Sequence, residues 1–329
     1  MITILLAVIL NPAGFLHDDA AADRLIREAM QSTYDLQLTA ARSACKALQE
    51  KYADHPAGYT LMAETYWWEA QMDPGNASIE NLYYVAQKTA VEKAENALKL
   101  NKYPKIEVTA YLASAHGSYA RFQVTQKQAY YSALRAGLRA HRLADEVYQM
   151  DKMYYDIYVG TGAFNFFTGS LPAVIKPFAW LIGARGDRNL GIEQLKTAMD
   201  QARYSQTEAR IVYYTAMRED KNYAEAFRVL QSLMSDYRDN FVFYTWMTDW
   251  YQKQERALEG IVFFERLFND EAKRSLPVAK NALLEKAQLQ QEEKLRANAI
   301  QTIDRLKMLP DNDPLLIKKI QALEKTVAK

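Results

Sequence analysis

Cysteine is almost missing from this chain. Cys45 stands alone among 329 residues, so no internal disulfide can staple the fold, and it lies too far from the apolar N-terminal run to anchor a lipid. Histidine is nearly as scarce: His17, His55, His116 and His141 share no helix face with one another or with Cys45 at metal-ligand spacing, which argues against a zinc site. With 12 glycines and 9 prolines, breaks are few, and strand signals are nearly absent. The 41 basic side chains are matched by 40 acidic ones, and a net charge of +1 gives no electrostatic case for nucleic acid. Beyond the N-terminus no window reaches the roughly 18 uninterrupted apolar residues of a membrane span. Gly160, Gly162 and Gly169 lack the preceding strand and the following Lys-Ser/Thr of a phosphate loop, and no Gly-x-Ser-x-Gly elbow occurs. Adjacent carboxylates such as Glu292 and Glu293 point apart on a helix. These absences leave no catalytic constellation, so the expectation is a non-enzyme with no cofactor and no metal.

What the chain has in quantity is apolar residues at three- and four-residue steps, and almost everything after Asp18 reads as helix. The breaks divide it into hairpins over 19–52, 57–100, 105–150, 154–201, 205–237, 240–268 and 276–308, with Pro314 opening a capping helix to about residue 328. Small residues recur in the second helices: Ala41 and Ala44, Ala94 and Ala97, Ala224 and Ala226. A two-helix period of about 34 residues marks a solenoid, because such a unit buries its apolar stripe only by stacking on its neighbours. The expected fold is all-α, a right-handed α-α superhelix of tetratricopeptide-like hairpins forming one domain over 19–329. Charge is uneven along it: 18–80 carries 11 acidic and 5 basic side chains, 273–329 carries 12 basic and 7 acidic. Solvated helix faces account for that difference without a partner.

Two segments interrupt the pattern. MITILLAVIL, followed by Asn-Pro-Ala-Gly, has the order of a signal peptide within 1–18, although it has no Lys or Arg before the apolar run; a buried first element is the other reading. Cleavage near Gly14 or among Ala20, Ala21 and Ala22 would make the mature protein periplasmic or secreted. The second segment is the insertion at 163–185, where Pro172 and Pro177 break an apolar stretch. It reads either as two short helices docked across a concave face, burying Phe166, Phe167, Val174, Ile175, Phe178 and Trp180, or as a membrane-surface anchor or a lid over an apolar ligand.

Three segments together carry a family resemblance: GAFNFFTGSLP (162–172), GDRNLGIEQL (186–195) and YRDNFVFYTWMTDWYQKQERALEGIVFFERL (237–267). Over 154–267 the chain resembles the tetratricopeptide repeat protein 39 family. Arg238 stands where that family has a proline after the turn tyrosine. The resemblance implies a helical-repeat fold and a non-enzymatic scaffold; family members are associated with lipid metabolism and with clearance of aggregated protein. A vaguer likeness, on architecture and leader, is to the helical-repeat periplasmic component of some solute transporters.

With 22 tyrosines and 5 tryptophans, aromatic anchors are the natural candidates for recognition. Trp67 and Trp68 are adjacent, so one of them is expected off the core, at a hairpin edge or in a groove. The candidate binding residues are Tyr66, Trp67, Tyr83, His116, Tyr131, Tyr155, Phe167, Phe178 and Trp180. The function these imply is a scaffold that holds a protein or peptide partner in its concave groove. The alternative is an exported carrier or sensor of an apolar small molecule or lipid, enclosed by the insertion.

Overall fold

The computed structural model describes residues 15–171, 176–181, 183–310 and 313–327, without the side chains of 177–179. Residues 1–14 of the leader, Val174, Ile175 and the Phe178 side chain therefore lie outside the described residues. Those residues form sixteen α-helices and no strand. In the first four hairpins these are α1 (Ala20–Tyr34) and α2 (Leu38–Lys51), α3 (Ala57–Met72) and α4 (Ala77–Leu100), α5 (Lys105–Thr125) and α6 (Tyr130–Met150), then α7 (Tyr158–Gly169), the short α8 (Lys176–Leu181) and α9 (Arg188–Gln201). The rest are α10 (Gln206–Glu219) and α11 (Tyr223–Asp236), α12 (Phe241–Lys253) and α13 (Ala257–Glu271), α14 (Leu276–Glu292) and α15 (Arg296–Lys307), and α16 (Pro314–Val327).

The repeat is written most clearly in the turns. Helices α1, α10, α12 and α14 each end on a left-handed residue, Leu36, Lys221, Glu255 and Lys294, with φ of 58°, 59°, 55° and 59°. In each, a backbone N–H bonds back five residues, Gln37 to Ser32, Asn222 to Met217, Arg256 to Tyr251 and Leu295 to Gln290, at 2.8 to 2.9 Å. This is the helix-ending motif usually served by glycine. Side chains bear the left-handed strain here, so the turn is set by the packing of the two helices it joins.

The chain separates into two compact units, residues 1–212 and 213–329, divided within α10. In the first, α7 and α9 cross in close contact: a Cβ on Gly191 would meet the Phe166 backbone nitrogen and lie 2.7 Å from Gly162 O. This unit also ties its first hairpin to its last residues. Tyr204 and Arg203 donate to Asp23 at 2.6 and 3.0 Å, beside Arg27 at 2.9 Å. Burial opposes the Asp23 charge, but these three donors prevail and hold its carboxyl down at about 2. Asp156 gathers the N–H groups of Arg203, Tyr204 and Ser205 at 3.2, 2.8 and 2.8 Å, which fixes the entry to α10. In the second unit, α14 is the central helix, packed on α12, α13, α15 and α16.

Candidate functional site

In the first unit the first helices of the hairpins bring together residues far apart in sequence. The guanidinium of Arg121 (α5) donates to Glu64 (α3) and to Glu208 (α10), and its Cζ lies 3.9 Å from the centre of the Trp67 ring. All three charged side chains are about one-fifth exposed, at 19%, 21% and 21%. Burial opposes the Arg121 charge, yet Glu208 and Glu64 outweigh it and hold the guanidinium above its ordinary value. For Glu208 burial wins: with Glu64 beside it, its carboxyl rises despite Arg121. Two carboxyl groups thus share one cation.

A second buried group lies on the same unit. Both oxygens of Glu107 accept the Leu16 N–H, at 3.1 and 3.0 Å, and Glu107 Oε2 is 3.6 Å from His55 Nε2. His55 Nδ1 accepts the Ala57 N–H at 3.1 Å, so the imidazole proton sits on Nε2, toward the carboxylate. The arrangement stitches Leu16 and the turn before α3 to α5.

In the second unit the equivalent row runs from α10 through α12 to α14. Tyr214 and Trp246 stack at 5.4 Å with an interplanar angle of 5°, and Arg218 pairs with Asp249 at 3.1 Å. Glu285, 3% exposed, accepts from Thr245 Oγ1 at 2.7 Å; burial pushes its carboxyl up against the pull of Thr248, Thr245 and the Lys319 charge. Arg218 Nε, Glu285 Oε2 and the Thr248 hydroxyl that pulls on it are all buried without a full hydrogen bond. A donor and an acceptor are thus both left over on one row, and buried polar groups rarely stay so.

The sequence-derived candidates scatter. One of Trp67 and Trp68 is expected off the core; instead both are buried, 2% and 1% exposed, with rings 5.1 Å apart and perpendicular. Tyr83 is a core residue with no exposed surface, stacked 3.9 Å from Phe122. Tyr66 lies under the Arg42 guanidinium at 4.1 Å, and Tyr155 packs beside Tyr158 against Ala198, Ala202 and Ala209. His116 is half-buried, and burial lowers its pKa to about 4. Tyr131 is 76% exposed beside Tyr130 at 68%. The docked-core reading of the insertion is overturned where it can be seen: Phe166 is buried, but Phe167 and Trp180 are 40% and 50% exposed. Arg121, Glu208 and Glu107 were missed. The available signal was a charge inside an apolar helical run, as in SYARFQV and IEVTAY.

Among the described residues no three His, Cys, Asp or Glu side chains are grouped to hold a metal, and no helix is long and apolar enough to cross a membrane. Successive helical hairpins, recurring left-handed turns and small-residue crossings define an all-α helical-repeat protein. No family model and no curated protein matches the chain. Among solved structures it is similar to a tetratricopeptide repeat protein from Parabacteroides merdae ATCC 43184, at 14% identity and a TM-score of 0.39 over 93% of this chain and all of the other. It is also similar to the TPR domain of P58(IPK), at 13% identity and a TM-score of 0.23 over 93% and 98%.

Proposed function

We propose that this protein is a non-enzymatic scaffold that holds an extended segment of a protein partner along the α10–α12–α14 row of its second unit. The carrying observation is the unmet donor on Arg218 and unmet acceptor on Glu285, flanked by the Tyr214–Trp246 stack. An extended backbone offers a carbonyl and an N–H to match, and side-chain movement of Arg218 and Glu285 on binding would expose them. The carrier reading finds less support, since Phe167 and Trp180 are 40% and 50% exposed. Kinship with the tetratricopeptide repeat protein 39 family is part of the proposal and rests on the three segments that suggested it. So is export to the periplasm or medium, which rests on the leader; cell fractionation with N-terminal sequencing checks it.

The test is a photo-crosslinking amino acid at Trp246, with the same reagent at Met308, 84% exposed and away from the row, as control. A segment captured at 246 and not at 308, then synthesised, should bind wild type and lose about tenfold in affinity to Arg218→Met. Equal capture at both positions, or unchanged affinity, refutes the assignment.

A further inference from the structure

The excursion between α7 and α9 leaves and re-enters the first unit at one place. A Cβ on Gly169 would stand 2.5 Å from the Arg188 nitrogen, and one on Gly186 2.6 Å from Asn165 O, so the two crossing strands of chain are pressed backbone to backbone. Asn165 also donates to Gln194 at 2.9 Å, and Asp187 caps α9 through the N–H groups of Asn189 and Leu190 at 2.8 and 3.1 Å. The crossing is tight, and three described apolar side chains beside and beyond it are exposed. Leu181 is 83% exposed, Trp180 50% and Phe167 40%, in a unit that buries Trp68, Tyr83, Phe122 and Phe166 almost completely. Three cations, Lys176, Arg185 and Arg188, lie in the same stretch against the single acid Asp187, whose carboxylate is engaged at the α9 cap.

Apolar exposure of this kind needs a cover, and the charge selects it. A tryptophan ring settles at the headgroup level of a bilayer, and each lysine or arginine near an anionic surface multiplies the partition by about fivefold. We propose that Trp180, Leu181, Lys176 and Arg185 dock the protein peripherally on an anionic lipid surface, Trp180 and Leu181 entering the headgroup boundary and Lys176 and Arg185 facing the phosphates. The surface belongs to the first unit and does not depend on the partner row of the second.

The experiment is co-flotation of the full chain with phosphatidylcholine vesicles and with vesicles that also contain phosphatidylglycerol. Wild type rises with the anionic vesicles and far less with phosphatidylcholine alone. W180D/L181D stays at the bottom while keeping the wild-type melting curve, because both side chains are largely exposed. K176Q/R185Q partitions about 25-fold more weakly onto anionic vesicles and unchanged onto neutral ones. A wild type that floats with neither, that floats equally with both, or that is matched by W180D/L181D overturns the proposal; capture of a soluble protein by the tip, with no flotation, gives the surface to that partner instead.

Discussion

Replacing Arg121 by methionine keeps an apolar stem over Trp67 but leaves Glu64 and Glu208 facing each other without their shared cation. Breaking a buried pair by removing one partner costs about 3–5 kcal/mol, and the lost cation–π contact adds to it. Because about one-fifth of each charged side chain is exposed, water recovers part of that, and we expect a loss of about 3 kcal/mol near neutral pH. The sign with pH is fixed by Glu208, whose folded-state carboxyl already lies above its ordinary value and rises further when Arg121 is gone. A folded state that holds a proton the unfolded chain releases loses stability as pH rises from the ordinary carboxylate value through the raised one. Urea unfolding of Arg121→Met should therefore show a smaller deficit near about pH 5 than near about pH 8. Adding Glu208→Gln should return much of the stability at the higher pH. A deficit below about 1 kcal/mol, a deficit independent of pH, or no recovery in the double variant would refute the reasoning.

Three further perturbations test the frame around this centre. His116 is held neutral with its pKa down at about 4, so wild type is fully favoured above the ordinary histidine value and loses that advantage as pH falls toward about 4; His116→Leu should flatten this part of the stability profile by about 1–2 kcal/mol. Tyr204→Phe removes a 2.6 Å bond to the ionised Asp23 and should cost about 1.5 kcal/mol at neutral pH, with the difference in melting shrinking as pH falls toward about 2. Gly191→Ala drives a methyl into the α7 backbone, which cannot give way as a side chain would; a loss of about 3 kcal/mol is expected in denaturant melts, and a neutral result would show that α7 and α9 are free to separate.

Much of the helical layout is legible in the sequence. The expected break after residue 100 coincides with left-handed Asn101 at the end of α4, and Pro314 opens α16, because caps, prolines and apolar periodicity act within a few residues of where they stand. The charged centres were not legible. Glu64, Arg121 and Glu208 meet across 57 and 87 positions, and Leu16 meets Glu107 across 91, separations that no local pattern reports. What a single sequence does show is that Glu107 and Arg121 sit in apolar helical runs, which marks them as side chains needing a partner without saying which.

The misreading of Trp67 and Trp68 has a specific cause. On a surface helix two adjacent residues point about 100° apart, so one of them leaves the core. Helix α3 is not such a helix: it packs on α2, α4, α1 and α5, and the buried arc extends most of the way round it. Trp68 then meets Tyr34 of α1 edge-on at 5.9 Å, while Trp67 meets Arg121 of α5. The same enclosure is why a charge can be carried there, since an arginine reaching inward from α5 finds an aromatic face on one side and two carboxylates on the others. In an enclosed repeat helix, aromatic pairing signals burial on two sides, and recognition is better sought in outward-facing aromatics such as Trp180 and in polar rows with hydrogen bonds still to make.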